Sequence, residues 1–327
     1  MTSLNLSLVN QTPEADDTNH GSVSTSQGLL ILVNLLVMVF ICVGNLFTIL
    51  AVWRTPSLRT VPNMYVVSLA VADFLTGAII PYYALTLYPP FQEELDKKKY
   101  LCLFRYVWFH VFVAKSISSM VAISFDRFLF IKYPLHYGSM TSPTKAGSVI
   151  AATWIISLLL GFVPLFHNNW EDGKGCYSFK ILTTEYRVYG LCPAFFFCCF
   201  LTAGFYGYIV RKAIRHQRRK RERCMSQAGM SANIVRSTTS DWKSVKVFML
   251  VFGVFFVCWV PNFTILLVGY IWTISPVVIN FTVIVGFLNS GMNFIIYACQ
   301  NRQFRRAFKS FVGLQRRPSV TTSLSTQ

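Results

Sequence analysis

The chain has 327 residues, of which 54% are hydrophobic and 13% are charged, and its formal net charge is +17. A soluble domain carries about a quarter charged residues, so this composition argues against a soluble enzyme or regulatory protein. A basic excess is typical both of nucleic-acid-binding proteins and of membrane proteins with basic cytoplasmic loops, and the positions of the charges distinguish the two.

Residues 1–27 contain no Lys or Arg and carry glycosylation acceptor patterns at Asn5 and Asn10. Beyond them, seven apolar segments each approach the ~20 residues that a membrane-spanning helix needs. The sequence therefore predicts an all-α membrane protein built as a seven-transmembrane helix bundle. The predicted spans are 28–53, 63–88, 101–132, 146–167, 186–211, 244–269 and 276–299.

The basic residues concentrate on one side of the membrane. Eleven Lys and Arg residues lie in 211–246, between the fifth and sixth spans, and six more lie in the tail. By the positive-inside rule both regions are cytoplasmic; the lysine cluster at 97–99 falls outside and is an exception. We predict a multi-pass plasma-membrane protein with an extracellular segment (1–27), a seven-helix domain (28–299) and a cytoplasmic tail (300–327). Nucleic acid is not an expected partner.

Two cysteines lie at the extracellular ends of predicted spans. Cys102 begins the third span, and Cys176 lies in the loop before the fifth. Both face the oxidising side of the membrane, so we expect a disulfide that tethers this loop over the bundle.

Polar side chains inside the spans mark a candidate ion site around Asp73. This carboxylate lies mid-span without a basic neighbour in sequence, and intramembrane acids are functional candidates. Carboxylate, hydroxyl and amide oxygens suit a small cation or a proton, although such side chains also form helix-packing hydrogen bonds. Sodium at Asp73 is the one metal expected. The polar set is Asn45, Asp73, Ser116, Asn289, Ser290 and Asn293.

An ordered set of motifs resembles the rhodopsin-like (class A) G-protein-coupled receptors over nearly the whole chain. Each motif alone is weak, but their order on successive helices is specific. The resemblance also implies a short amphipathic eighth helix at 301–312. The matching residues are Asn45, SLAVAD ending at Asp73, Asp126-Arg127-Phe128 for DRY, Trp154, Cys258-Trp259-Val260-Pro261 for CWxP, and Asn293-Phe294-Ile295-Ile296-Tyr297 for NPxxY with Phe294 in place of proline.

The resemblance implies ligand-dependent activation of a heterotrimeric G-protein. In this family the arginine of the triplet, here Arg127, is held by the adjacent acid and by an acid at the inner end of helix six, here Asp241. Outward movement of helix six releases it, and its always-charged fork suits such a switchable pairing. The residues implied in coupling and activation are Asp126, Arg127, Phe128, Leu135, Tyr206, Asp241, Trp259, Pro261, Asn293 and Tyr297.

Within the family the scaffold is similar to the adenosine receptors, but the purine-contacting positions are occupied by Leu266, Gly286 and Phe287. Phe109 stands where amine receptors carry an aspartate, and Phe287 stands where opsins carry the retinal-binding lysine. The remaining aromatic pocket predicts a small apolar or neutral ligand. Its residues are Phe109, His110, Val113, Phe179, Trp259, Asn262, Phe263, Leu266 and Phe287.

Lys115 is an unusual charge in the middle of the third span. Three interpretations follow: its side chain extends to the membrane surface, it pairs with an acid such as Glu185, or it contacts an anionic ligand.

The expected partners are an extracellular ligand, a heterotrimeric G-protein, membrane lipid at the basic segment 211–223, and an arrestin-like protein after tail phosphorylation. Three alternatives to a ligand-gated receptor are a constitutively active or partner-dependent seven-helix receptor, an adenosine-type receptor, and a seven-helix transporter or channel. The sequence contains no catalytic motif, so we expect neither an enzyme nor a cofactor other than a sodium ion as allosteric modulator.

Overall fold

The computed structural model describes residues 24–172, 175–226 and 233–311, and within them all side chains except those at 217, 220–226, 233–245 and 276. A 3-10 turn, Pro56–Leu58, follows the first helix, and a π-helical segment, Glu185–Leu191, leads into the α-helix that begins at Cys192. The α-helices are α1 (Thr25–Arg54), α2 (Val61–Leu85), α3 (Pro89–Lys97), α4 (Lys99–Lys132), α5 (Tyr137–Met140), α6 (Pro143–Phe166), α7 (Ser178–Ile181), α8 (Cys192–Ser226), α9 (Asn233–Val268), α10 (Pro276–Gln300) and α11 (Arg302–Phe311).

Among the described residues, seven helices are long and apolar enough to cross a membrane, which confirms the predicted bundle. Helices α8 and α9 extend beyond the predicted spans, to Ser226 and from Asn233. Neither extension contains Pro or Gly, so nothing in the local sequence ends the helix at the membrane surface. The spanning helices are α1, α2, α4, α6, α8 with its π-helical start, α9 and α10.

Cap residues and prolines determine where several helices begin. Ser24 and Gln27 form a reciprocal capping box at the start of α1, and the Ser142 hydroxyl accepts a hydrogen bond from the Lys145 backbone at the start of α6. Proline occupies the first turn of α2, α6 and α10, where its missing N–H leaves no hydrogen bond unmade.

Helix α4 lies at the centre of the bundle. It packs against α2, α6, α8 and α9. Of the residues in its most apolar stretch, 67% are buried inside the bundle, whereas the corresponding share for α6, at the periphery, is 17%. Residues of α4 therefore contact most of the other spanning helices. Any side chain that it carries, from Phe109 near its outer end to Arg127 near its inner end, is held by a well-packed helix.

Helices α4 and α6 meet at Gly161. A β-carbon added at this position would lie 2.6 Å from the backbone nitrogen of Val111 and 2.8 Å from its α-carbon. Backbone atoms cannot rotate aside, so only glycine permits this helix-to-helix distance. Small residues at such crossings let transmembrane backbones approach closely.

Replacing Gly161 by alanine should therefore lower the stability of the receptor by about 1–3 kcal/mol, because α6 must move away from α4. Gly147, on the same helix, is the matched control, since a β-carbon there meets no atom within 4 Å. Gly147→Ala should leave stability unchanged or raise it by up to about 1 kcal/mol through helix propensity. The check is the thermal midpoint of each purified variant. Equal midpoints for the two variants would contradict this view of the crossing.

The loop before α8 is attached to α4 by a Cys102–Cys176 disulfide, with the α-carbons 5.9 Å apart. This confirms the predicted pairing. Two further contacts hold the loop: the Cys176 backbone N–H donates to Asp96 Oδ1 at 2.6 Å, and the Tyr106 hydroxyl donates to the Cys176 carbonyl at 3.2 Å. The segment that carries Phe179 is thus fixed above the outer ends of the helices.

A short amphipathic helix follows the last span, as the sequence resemblance implied. Asn301 caps α11, since its side-chain oxygen accepts the backbone N–H of Gln303 at 3.0 Å. The apolar face lies against the bundle: Phe304 stacks on Tyr297, with ring centroids 5.3 Å apart, and Phe308 packs on Phe294 at 4.9 Å. The polar residues Arg302, Arg305, Arg306 and Lys309 line a separate surface.

Candidate functional site

Most of the predicted ligand-pocket residues surround Phe109 of α4. Its ring centroid lies 5.9 Å from that of Trp259, 5.9 Å from that of Phe287 and 5.7 Å from that of Tyr83. Trp259 is 2% exposed, and its indole N–H has no hydrogen-bond partner among the described residues. The structure thus brings α2, α4, α9 and α10 together around one aromatic cluster that contains a free donor.

The same cluster extends across α9 toward α8. Phe263 stacks face to face on Phe195 with centroids 3.9 Å apart, and the Asn262 amide donates to Thr282 Oγ1 at 3.3 Å. Val113 and Leu266 pack in the same apolar core as Trp259.

His110 and Phe179 lie at the edge of this region. The His110 ring lies 5.4 Å from the Tyr186 ring, and its Nδ1 is 2.7 Å from the Tyr106 carbonyl. Phe179 of the extracellular loop covers the outer end of α9, where its ring leaves no room for a side chain at Gly269. The predicted pocket residues therefore form one contiguous region, with Phe179 as its extracellular cover.

The predicted polar set converges on Asp73, which is fully buried. Its Oδ1 accepts hydrogen bonds from Ser290 Oγ at 2.8 Å and from Ser116 Oγ at 3.2 Å, and its Oδ2 accepts from Asn293 Nδ2 at 2.7 Å. Donors from α4 and α10 thus meet a carboxylate of α2. The arrangement ties three spanning helices together around one buried negative charge.

Other polar atoms of this set lack partners within the described part of the chain. Both side-chain heteroatoms of Asn289 and the side-chain oxygen of Asn293 are buried without a hydrogen bond. Asn45 is satisfied, since its amide donates to the carbonyls of Ile41 and Ser290, each at 2.9 Å. A buried carboxylate beside free amide oxygens is the donor set of a site for a small cation or water.

Lys115 lies beside this site, where the structure excludes its extension to the membrane surface and shows an acid other than Glu185 as its electrostatic partner. The residue is 1% exposed, so it does not extend to the membrane surface. Glu185 is not its partner, because that side chain is 71% exposed and lies 3.9 Å from His167. Instead, Lys115 Nζ donates to Ser119 Oγ at 2.6 Å, lies 5.2 Å from the centre of the Trp154 ring, and interacts electrostatically with Asp73.

Near the C-terminal end of α4, Asp126 and Arg127 form a buried ion pair. Arg127 Nε donates to Asp126 Oδ2 at 3.0 Å, while the Tyr137 hydroxyl donates to Asp126 Oδ1 at 2.8 Å. Burial and the adjacent Asp126 carboxylate raise the pKa of Tyr137 to about 12, so this hydroxyl keeps its proton at neutral pH. The guanidinium also lies 5.6 Å from the ring centre of Phe248, which connects α4 to α9.

The other predicted coupling residues occupy three kinds of position. Leu135, in the loop after α4, is 94% exposed. Phe128 packs against α8, 5.1 Å from the Phe205 ring and 5.0 Å from the Tyr208 ring. Buried positions inside the bundle are occupied by Tyr206, Trp259, Asn293 and Tyr297, with Pro261 inside α9.

Some predicted sites lie outside the described residues. The side chain of Asp241, the proposed second partner of Arg127, is one of them. The glycosylation acceptors Asn5 and Asn10 and the hydroxyl-rich tail beyond 311 are others.

Three residues that contact these sites are not among those predicted: Tyr137 beside Asp126, Arg105 beside Tyr83, and Arg187 beside Phe179. Tyr137 carries no local signal, since its contact with Asp126 depends on how the chain turns after α4. Arg105 and Arg187, however, are charges inside predicted spans, and such charges are functional candidates by position alone. That signal was present in the sequence.

The chain is similar over most of its length to one known protein family and to several receptors. The family model of the seven-transmembrane receptors (rhodopsin family) matches residues 44–297. The human adenosine receptor A2a is 28% identical over 302 residues, covering 86% of this chain and 71% of that receptor. The alpha-1A adrenergic receptor of Oryzias latipes is 27% identical over 313 residues, covering 85% and 65%. Dopamine receptor 1 of Drosophila melanogaster is 27% identical over 322 residues, covering 85% and 61%.

Proposed function

The chain belongs to the rhodopsin family of seven-transmembrane receptors, and on this premise we propose that it converts binding of a small extracellular ligand into nucleotide exchange on a heterotrimeric G-protein. Members of this family are receptors and not enzymes. The observation that carries the proposal is the buried Asp126–Arg127 pair, held by Tyr137 at the inner end of the same helix that carries Phe109. One rigid helix thus connects the aromatic cluster to the cytoplasmic switch.

The contacts support a mechanism in which α9 moves relative to α4. A ligand that contacts Trp259 acts on α9 near Pro261, where the missing N–H weakens the helix. Movement of the inner half of α9 separates Phe248 from the Arg127 guanidinium. Arg127 then exchanges Asp126 for groups of the G-protein, and the exposed Leu135 supplies an apolar contact beside it.

An adenosine-type receptor is the second candidate, favoured by the similarity to adenosine receptor A2a. The contacts at α10 oppose it. A β-carbon at Gly286 would lie 2.8 Å from the Trp259 ring, so this position has no room for a hydrogen-bonding side chain. Phe287 is fully buried against Tyr83 and Phe109. A site that reads purine by hydrogen bonds loses selectivity when such groups are absent.

We also propose that sodium binds beside Asp73 as an allosteric modulator. The residues fit this ion, because one carboxylate, two serine hydroxyls and the free amide oxygens of Asn289 and Asn293 are hard oxygen ligands. Bound sodium would neutralise the buried carboxylate and hold α2, α4 and α10 in the resting arrangement.

The surface charges support a topology and two further partners. We propose that the protein resides in the plasma membrane with its N-terminus outside, glycosylated at Asn5 and Asn10. The basic face of α11, formed by Arg302, Arg305, Arg306 and Lys309, is suited to anionic lipid at the inner surface. Phosphorylated tail hydroxyls would recruit an arrestin-like protein.

The decisive test is guanine-nucleotide exchange on purified G-proteins of each class by membranes that contain the full chain. The panel contains adenosine, small amines, organic acids and neutral lipids. We expect at least one compound to raise exchange, and Arg127→Ala to reduce that response at least 10-fold at equal receptor amount, because the cytoplasmic cation is lost.

The outcomes separate the candidates. A saturable response to adenosine would establish the adenosine-type receptor. High exchange without ligand that Arg127→Ala removes would establish a constitutive receptor. Exchange equal to that of Arg127→Ala membranes for every G-protein and compound would contradict the proposed function.

A further inference from the structure

A buried guanidinium lies at the extracellular end of the pocket. Arg187, in the π-helical start of α8, is 5% exposed. Its Nε donates to the Leu182 carbonyl at 3.2 Å, and its guanidinium carbon lies 4.6 Å from the ring centre of Phe179, the cover of the pocket. Its Nη1 is buried and has no hydrogen-bond partner in the described part of the chain.

Two carboxylates at the same end of the bundle, Glu185 and Asp96, have other partners. Glu185, two positions away, is exposed and lies next to His167. Asp96 Oδ1 accepts hydrogen bonds from the Cys176 backbone and from Gln92 Nε2. Within residues 24–172, 175–226 and 233–311, neither Asp96 nor Glu185 forms an ion pair with Arg187.

A second guanidinium lies against the Tyr83 ring, which borders the aromatic cluster. Arg105 of α4 lies 4.8 Å from the ring centre of Tyr83 and 5.2 Å from that of Tyr106, and its buried Nε has no partner among the described groups. The Tyr83 ring in turn contacts Phe109 and Phe287. Arg187 therefore contacts a residue of the predicted pocket directly, and Arg105 is separated from that pocket by the Tyr83 ring.

Burying these two guanidinium groups is energetically unfavourable unless an anion binds to them. A buried charge without a counter-ion is strongly unfavourable, and charges within spanning segments mark functional sites. The planar fork of an arginine matches the two oxygens of a carboxylate or phosphate. Phe179, which lies against Arg187, and Tyr83, which lies against Arg105, offer apolar contact to the rest of a ligand.

We propose that the ligand is a small organic anion with an apolar body, whose carboxylate or phosphate binds the Arg187 guanidinium while the body lies against the aromatic cluster. This inference rests on the proposed receptor function and changes the sequence-based expectation of a neutral ligand. Arg105 adds a second positive charge behind the Tyr83 ring, which contacts the aromatic cluster.

The test measures binding directly, by the thermal midpoint of the full-length receptor in lipid nanodiscs. The probes are 3-phenylpropionate, 2-phenylethyl phosphate and the neutral 3-phenylpropionamide at equal concentration. We expect at least one anion to raise the midpoint and the amide to leave it unchanged; the anion that acts identifies carboxylate or phosphate as the recognised group. Arg187→Gln should weaken the apparent affinity for that anion on the order of 10- to 100-fold, the range expected for a lost charge-assisted hydrogen bond.

Two further variants make the result specific. Lys99→Gln removes the same unit charge from an exposed extracellular position and should bind the anion like the wild type. Arg187→Lys keeps the charge but loses the fork, so it should bind more weakly than wild type. It also tests the proposal if Arg187→Gln fails to fold.

The proposal is overturned if neither anion raises the wild-type midpoint more than the amide does. It is also overturned if Arg187→Gln, or Arg187→Lys where that variant alone folds, binds the anion like the wild type, or if Lys99→Gln weakens binding equally. Anion binding without nucleotide exchange would leave this inference intact and contradict the receptor function instead.

Discussion

Replacing Cys102 and Cys176 together by serine is expected to lower the free energy of unfolding by about 4 kcal/mol, as the chain-entropy treatment gives for this separation. The two cysteines are 74 residues apart in sequence and both are buried. For a chain of this size, a loss of that magnitude corresponds to a midpoint decrease on the order of 10 °C. The double replacement avoids leaving one free thiol that could cross-link.

The disulfide also positions the pocket. It holds the segment that carries Phe179, which covers the outer end of α9 and stacks on Arg187. The double variant should therefore lose ligand response as well as stability. The measurement is thermal unfolding of the purified receptor, together with ligand-dependent nucleotide exchange at equal surface amount.

Cys299→Ser is the control for this experiment, because Cys299 is an exposed free thiol at the end of α10. It should unfold at the wild-type midpoint and respond to ligand normally. An unchanged midpoint in the double variant would mean that the hydrogen bonds of Cys176 to Asp96 and Tyr106 hold the loop without the covalent link.

Sodium is expected to raise the thermal midpoint of the wild-type receptor, and Asp73→Asn is expected to abolish this effect completely. The Asp73 carboxylate is fully buried and supplies the negative charge of the proposed site. Asparagine keeps the size and one acceptor oxygen but removes that charge, so the hydroxyl and amide oxygens alone cannot balance a cation. Choline at equal ionic strength replaces sodium in the reference measurement.

Two variants sharpen this test. Glu94→Gln removes a carboxylate that pairs with Lys98 at the exposed surface and should keep the full sodium effect. Lys115→Gln removes the buried ammonium that interacts with Asp73, so sodium should bind it more tightly than the wild type. A sodium effect that persists in Asp73→Asn would place the ion elsewhere.

The bundle and its motifs were predictable because they depend on local sequence. Each of the seven apolar segments is recognisable from a short stretch of chain, and the Cys102–Cys176 pair follows from the position of each cysteine at the end of a predicted span or in the loop before one. The convergence of Ser116, Ser290 and Asn293 on Asp73 followed from motif order, which places them on helices that meet.

Features that depend on side-chain direction or on long-range contacts were not predictable. Tyr137 reaches Asp126 only because the chain turns back after α4. The Lys115 side chain points toward Ser119 and Trp154, although its position in the sequence also allowed it to extend to the membrane surface. The free nitrogen of Arg187 is recognisable only after the positions of Glu185 and Asp96 are known.

Phe294 makes α10 a continuous helix at the position where the family motif has a proline. With no proline at this position, the backbone N–H of residue 294 remains and the helix runs unbroken from Pro276 to Gln300. The Phe294 ring also packs on Phe47 and Phe308, which joins α1, α10 and α11. The C-terminal part of α10 therefore moves as one rigid helix, because no proline kink divides it. A tilt of α10 that begins at Phe287 would therefore be transmitted to α11 without bending at Phe294. Helix α11 would then change its angle to the membrane surface together with α10.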